Sequence, residues 1–196
     1  MPSKIILKPL QNILTDCKYT KKLLEQMLGE FFCERDKDIE TFLHNKAVDY
    51  ELSGISRTYL YIVSNQKSDI VDVAAYFSIA LTSINLADAS SNRRSKILGK
   101  TPGSGFKDDF GGVLIAQLGR NDAFVTSEVN GERIIADCEL TIEKGRKWLG
   151  GRVAYLDCKK ALVGYYERFG YRLLSDVPSD TGLYKMFKML PKLVAA

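Results

Sequence analysis

The chain has 196 residues, 45% of them apolar and 27% charged, which suits one packed domain over residues 1–196 and argues against a disordered chain. A formal net charge of +4 tolerates an acidic partner without requiring one. One histidine and four cysteines (Cys17, Cys33, Cys138, Cys158) with no Cys-x-x-Cys spacing argue against a zinc site, so no metal is expected. No apolar run reaches membrane-spanning length, and the opening Lys4-Ile-Ile-Leu-Lys8 is too short and interrupted for a signal peptide. The expectation is a cytoplasmic, reducing-compartment protein with no membrane partner.

Lys4 to Pro9 reads as a first strand stopped by proline. From about Asp16 to Phe31, the positions Leu24, Met27, Leu28 and Phe31 recur at helical spacing. A second helix is expected from about Lys37 to Leu52, with Ile39, Leu43, Ala47 and Tyr50 inward and Ser53-Gly54 ending it. His44 lies beside that face and reads as a surface or packing residue. Arg57 to Val63 is rich in β-branched and aromatic residues, Asn65 to Asp69 is a polar turn, and Ile70 to Ile84 alternates as a strand. The pair reads as an antiparallel hairpin.

Asp88 to Asp109 is polar and glycine-rich and reads as a long connection. Arg93, Arg94 and Lys96 are either a solvated loop or a landing site for a phosphate. Val113 to Arg120 reads as a buried central strand, and Gly131 opens a helix to about Leu149 with Ile135, Cys138, Ile142, Gly145 and Leu149 on its inner stripe. Gly150-Gly151 ends it. A strand from Arg152 to Asp157 follows, then a helix from Lys160 to Phe169 with Leu162, Tyr165, Tyr166 and Phe169 inward and Gly170 as cap. Strands over Tyr171–Leu174 and about Leu183–Met189 close the chain. Strand, helix, strand in succession implies a right-handed crossover with parallel pairing in mid-sheet. The order β-α-α-β-β-β-α-β-α-β-β predicts a mixed α/β sheet with helices on both faces.

The turn Glu128-Val129-Asn130-Gly131-Glu132-Arg133 is the first candidate site. The amides of Gly131, Glu132 and Arg133 at a helix start would face a docking group, and the helix dipole favours an anion there. Gly119 is read either as a bulge that frees an amide near the strand end or as the residue that ends the strand.

These stretches resemble the GCN5-related N-acetyltransferases (GNAT). The element order matches over almost the whole chain. Tyr165-Tyr-Glu-Arg-Phe-Gly-Tyr171 is similar to the family's aromatic-Tyr-Glu-Lys/Arg-x-Gly-Phe/Tyr ending of the fourth helix, and Glu128-x-x-Gly131-x-Arg133 stands where the pyrophosphate loop Gln/Arg-x-x-Gly-x-Gly/Ala is expected. Phe42 to Glu51, Ser56 to Leu60, Ala75 to Ala80 and Leu118-Gly-Arg120 further resemble a bacterial branch that includes toxins acetylating aminoacyl-tRNA.

The resemblance implies a GNAT-like, mostly antiparallel central sheet of six to seven strands. It also implies transfer of acetyl from acetyl-CoA, as co-substrate, to the amine of an acceptor it does not name. Coenzyme contacts would come from Leu118, Gly119, Arg120 and Asn121, from Val129, Asn130, Gly131, Glu132 and Arg133, and from Lys159, which stands where relatives carry asparagine. A backbone amide between Leu118 and Asn121 would face the thioester oxygen. Tyr166 matches the tyrosine that protonates the leaving sulfur, a role suited to a phenol of pKa about 10. Arg133 replaces a small residue, so it either obstructs the diphosphate or salt-bridges it. Asp108, Asp109, Asp122 and Glu128 are loop acids of which none stands out as a base. A homodimer, tRNA and a small antitoxin are the partners the resemblance leaves open. A domain that binds acyl-CoA without catalysis is the alternative.

Overall fold

The computed structural model describes residues 4–64, 71–87, 89–99, 109–124 and 129–192. The expected turn at Asn65–Asp69, the Gly103–Asp108 stretch and Glu128 lie outside the described residues. Seven strands form one sheet in the order β1-β2-β3-β4-β5-β7-β6, with β1 Lys4–Pro9, β2 Arg57–Ser64, β3 Val71–Asn85, β4 Asp109–Arg120, β5 Val153–Cys158, β6 Arg172–Leu173 and β7 Tyr184–Met189. The β1/β2, β2/β3, β5/β7 and β6/β7 pairs are antiparallel. As the strand–helix–strand order requires, β4 and β5 are parallel, in register at Val113–Ala154 and Leu114–Tyr155. The chain clusters into two compact units, Met1–Ala80 with Ala116–Leu140, and Leu81–Ile115 with Thr141–Ala196.

In the first unit, a helix absent from the sequence expectation, α1 (Leu10–Thr15), follows β1, and the expected Asp16–Phe31 helix is shorter, α2 (Lys21–Gly29). Pro9 ends β1 and stands at the N-cap of α1. Six residues cannot hold a helix by propensity; full burial of Leu10 and Ile13 on one face supports α1 instead. Thr20 starts α2 by accepting the Leu23 amide at 3.2 Å. The expected Lys37–Leu52 helix is divided into two, α3 (Lys37–Asn45) and α4 (Ala47–Leu52), parted at Lys46, whose φ of −127° leaves the helical range. Leu10, Ile13, Met27, Phe31, Leu43 and Ala47 bury their side chains with Leu60, Ile62 and Tyr76 of the sheet, each large one contributing about 1.5–3 kcal/mol. Glu51, only 2% exposed, is satisfied by the Thr58 amide at 2.8 Å and the Arg57 guanidinium at 3.0 Å.

The second unit holds the largest departure from sequence expectation. The polar connection contains a helix, α5 (Ser91–Leu98). Ser90 caps it, Ile97 and Leu98 are buried, and the Arg152 guanidinium donates to the Leu98 carbonyl at 3.1 Å. Ile97 and Leu98 join Ile84, Leu86, Val153, Tyr155, Leu174 and Phe187 in a core of their own.

Helix α6 (Gly131–Leu149) starts and ends as expected, and Gly150 and Gly151 take φ of +76° and +107°, which stops it. Its inner stripe is shorter than predicted. Ile135, Cys138 and Ile142 are buried but Leu149 is 72% exposed. Arg146, at 4% exposure, occupies the inner face near the end. Its guanidinium binds Glu143 at 2.7 Å, the Gly151 carbonyl at 3.1 Å and the Pro191 carbonyl. The expected Lys160–Phe169 helix is a 3-10 turn over Lys160–Leu162 followed by α7 (Val163–Glu167). Leu162, Tyr165, Tyr166 and Phe169 are not core residues; Leu162 is exposed and the three rings are half-buried. With only five α-helical residues, α7 presents too little length for a buried stripe.

Candidate active site

At the end of β4, the structure ties the strand to the segment after α2. The Asn121 amide donates to the Ala74 carbonyl at 2.9 Å. Its side chain, 3% exposed, donates to the carbonyls of Val73 at 3.0 Å and Glu30 at 3.4 Å and accepts the Ala123 amide at 3.0 Å. Asp122 continues the seam. Its amide meets the Phe32 carbonyl at 2.8 Å, and its carboxylate takes the Glu34 amide at 2.8 Å and the Arg35 guanidinium at 2.9 Å. His44 donates to the Phe31 carbonyl at 2.8 Å, the packing role read for it. Arg120 reaches the carbonyls of Asn121, at 3.5 Å, and Phe124.

Two expectations change here. The Asn121 amide is committed to Ala74, so it is not a donor for a thioester oxygen, and its side chain is a structural clamp rather than a coenzyme contact. Gly119 does not end the strand, because β4 continues to Arg120. A Cβ at Gly119 would stand 2.3 Å from Ile39 Cγ2 and 3.6 Å from Phe31 and Tyr76. The glycine is there because α3 packs against the strand at that point. Leu118 lies half-buried beside it.

The start of α6 supplies the second group of residues. Asn130 Oδ1 accepts the Arg133 amide at 2.8 Å, closing an N-cap. That amide is therefore spent inside the helix and does not face a ligand, contrary to expectation. The Gly131 and Glu132 amides have no acceptor among the described residues, as the first positions of a helix require. Val129 is fully buried, contrary to the coenzyme contact expected of it. Arg133 lies 5.5 Å over the Tyr61 ring, with its Nε 3.7 Å from Asp137, one turn further along α6. Tyr61 donates to the same Asp137 at 2.8 Å, and burial together with that carboxylate pushes the phenol far above its usual range. Arg133 is thus held along the helix flank by β2 and by its own helix. Neither Tyr61 nor Asp137 stood out in the sequence as its partner.

In the second unit, Lys159 precedes the 3-10 turn, exposed, with its carbonyl accepting the Leu162 amide at 2.9 Å. Tyr166 is half-buried in an aromatic group, its ring centroid 5.3 Å from Tyr165 and 5.9 Å from the buried Tyr171. The Tyr166 carbonyl accepts the Phe169 amide at 3.0 Å and the Tyr171 amide at 3.3 Å. This turn is closed by Gly170 at φ +85°, a conformation side chains rarely adopt. The spacing Tyr166-x-x-x-Gly170-Tyr171 therefore fixes where the phenol sits. Cys158, with its thiol pushed up to about 11 mainly by burial, stays protonated and packs on Met186. Among the loop acids, Asp122 serves the seam above and Asp109 accepts from Asn85 at 3.2 Å. No group of metal-binding residues occurs among the described residues, and no described helix is long and apolar enough to cross a membrane.

No family model matches the sequence, and no curated protein sequence does. Solved structures do match the fold. A KacT mutant superposes with a TM-score of 0.70 at 14% identity, covering 95% of this chain and 95% of that one. AtaT complexed with acetyl-methionyl-tRNAfMet gives 0.66 at 15% identity, over 93% and 94%. The fold is GNAT-like. A mutant of the AtaT toxin, bound to the C-terminus of the antitoxin AtaR and acetyl-CoA, gives 0.62 at 11% identity, over 94% and 92%. Since identity is this low, the GNAT-like architecture is what the likeness carries, and the site must be argued from the residues above.

Proposed function

We propose that the chain is an acetyl-CoA-dependent N-acetyltransferase and that its acceptor is the amino group of an aminoacyl-tRNA. The observation that carries the reading is the end-to-end likeness to AtaT, a protein solved with acetyl-CoA and with acetyl-methionyl-tRNAfMet. Local residues are consistent with it. The amides of Gly131 and Glu132, first in α6, suit a diphosphate, and Arg133 lies against Asp137 and Tyr61 on the flank of the same helix.

In this reading the amine nitrogen attacks the thioester carbonyl, the carbon–sulfur bond breaks, and the departing thiolate takes the Tyr166 proton. The attacking nitrogen loses its own proton to water. An α-amine, with a reference pKa near 8, is neutral often enough to need no strong base. Acetyl-CoA contributes the activated acyl group. The residues contribute the amides that orient its phosphates, the phenol that supplies a proton, and the β4 end that shapes the approach of the amine.

Calorimetry with acetyl-CoA, followed by free-thiol release on adding aminoacyl-tRNA, tests both parts. Binding in the micromolar range is expected, with Tyr166→Phe slowing release by about a hundredfold while binding persists. Failure to bind at millimolar coenzyme overturns the enzyme reading. Binding with an unchanged rate in Tyr166→Phe removes that residue from the role of acid.

A further inference from the structure

The second unit contains a cleft that the acetyl-transfer reading does not use. It lies between α5, the end of α7 and β6, and it encloses about 450 Å³. Lys96 and Arg172 border it, as do Asn92 and Glu167. None of these four side chains has a hydrogen-bond or ion-pair partner among the described residues. The wall beside them is built. Arg93 holds Asp176 in a two-pronged pair at 2.6 and 3.0 Å, joining α5 to the segment after β6. That guanidinium also keeps the Asp176 carboxyl below its usual range, so the pair stays ionised at neutral pH. The floor is apolar, formed by Leu173 and the buried Phe187.

α5 is firmly placed. Ser90 caps its start, Ile97 and Leu98 anchor its end in the core, and Arg152 takes the Leu98 carbonyl. Lys96 therefore stands on a fixed element, and Arg172, on β6, lines the same cleft. Arg93 and Asp176 cancel, which leaves two cations and one carboxylate lining a small volume. A carboxylate ligand would be met by one cation and repelled by Glu167. A phosphate spreads its charge over three oxygens and engages a guanidinium fork and an ammonium together. The cleft exceeds what a bare phosphate fills and falls within the size range of small-ligand sites. Glu167 and Asn92 are suited to accept from and donate to sugar hydroxyls or a base edge, and the Leu173–Phe187 floor to lie under a flat ring.

We propose that this cleft binds one nucleotide, its phosphate held between Lys96 and Arg172, with the nucleotide free or carried within a single-stranded RNA. The inference stands apart from acetyl transfer, because no residue assigned to that reaction lines the cleft.

Titration of the full chain with 5′-AMP, adenosine, inorganic phosphate and a short oligoribonucleotide, read by chemical shift or calorimetry, is the test. Saturable AMP binding near millimolar is expected, with adenosine much weaker and phosphate competing. Lys96→Ala and Arg172→Ala should each weaken AMP binding by about tenfold, and Arg172→Lys by less, because it keeps the charge without the fork. Unchanged melting temperatures show that the exposed substitutions leave the fold intact. An oligoribonucleotide that binds far more tightly than AMP, with affinity falling as salt rises, assigns the site to RNA; equal affinities assign it to the free nucleotide. No saturable binding of AMP or RNA at about 10 mM ligand overturns the proposal, and so does binding that neither substitution alters.

Discussion

Gly119 is the residue whose replacement the structure constrains most tightly. The obstructing atom is Ile39 Cγ2, a branch methyl close to the backbone rather than the tip of a flexible chain. Ile39 cannot easily retreat, because Tyr76 donates to its carbonyl at 2.6 Å. Gly119→Ala should therefore cost about 1–3 kcal/mol, seen as a lower urea midpoint. Adding Ile39→Ala removes the opposing methyl and should recover part of the loss; an additive double variant would refute the contact as the cause. In the sequence this glycine read as a bulge or a stop, because both are the ordinary reasons for glycine in a strand. The true reason is a neighbour about eighty positions away, which no local pattern reports. Tyr166 is the opposite case. Its position was legible, since the Gly170 turn that fixes it is local and glycine marks the left-handed residue. What the pattern misjudged was depth. The flanking rings looked like a core stripe, yet α7 is too short to bury one.

At the scale of elements, strands were read closely and helices unevenly. Each strand was signalled by alternation or an apolar run, and register follows from that. α5 was missed because its six polar residues, Ser91 to Lys96, carry only Ile97 and Leu98 as apolar anchors. Its Ser90 cap and Gly99 stop were nevertheless in the sequence. The segment between α2 and α3 yields a pH prediction. Glu40 on α3 accepts the Cys33 amide at 2.9 Å and the Lys37 ammonium at 3.0 Å. Those bonds, the amide foremost, hold its carboxyl below the usual 4.5. A depressed folded value means the stabilisation is complete above 4.5 and is lost as pH falls through the folded value. Glu40→Gln should lower the melting temperature at pH 7 and narrow the gap to wild type below pH 4. A gap that stays constant from pH 7 to pH 3 would show that the charge of Glu40 is not what stabilises the segment.

For the molecule as a whole, the parallel β4/β5 pair was legible because a strand–helix–strand succession and the crossover rule leave few alternatives, whereas the order of the outer strands was not read from the sequence. The proposal of a single folding domain rests on continuity. β3, β4 and α6 each carry residues of both compact units, divided at Ala80, Ile115 and Leu140. Neither unit keeps these elements whole without the other. Urea unfolding followed by far-ultraviolet and near-ultraviolet dichroism should give coincident curves with one midpoint. Two separated transitions would mean that the units fold independently. The acceptor was the least legible property. Net charge and loop composition describe surfaces only on average, whereas an acceptor is chosen by a groove whose walls come from distant parts of the chain.

The cysteines add a practical consequence. Cys33, Cys138 and Cys158 are buried and Cys17 is exposed, and burial raises the pKa of the three enclosed thiols. A maleimide reagent at neutral pH should consequently meet one accessible sulfur and leave three untouched. The natural sequence thus already offers a single attachment point between α1 and α2, where a dye or spin label can be placed without first removing any cysteine.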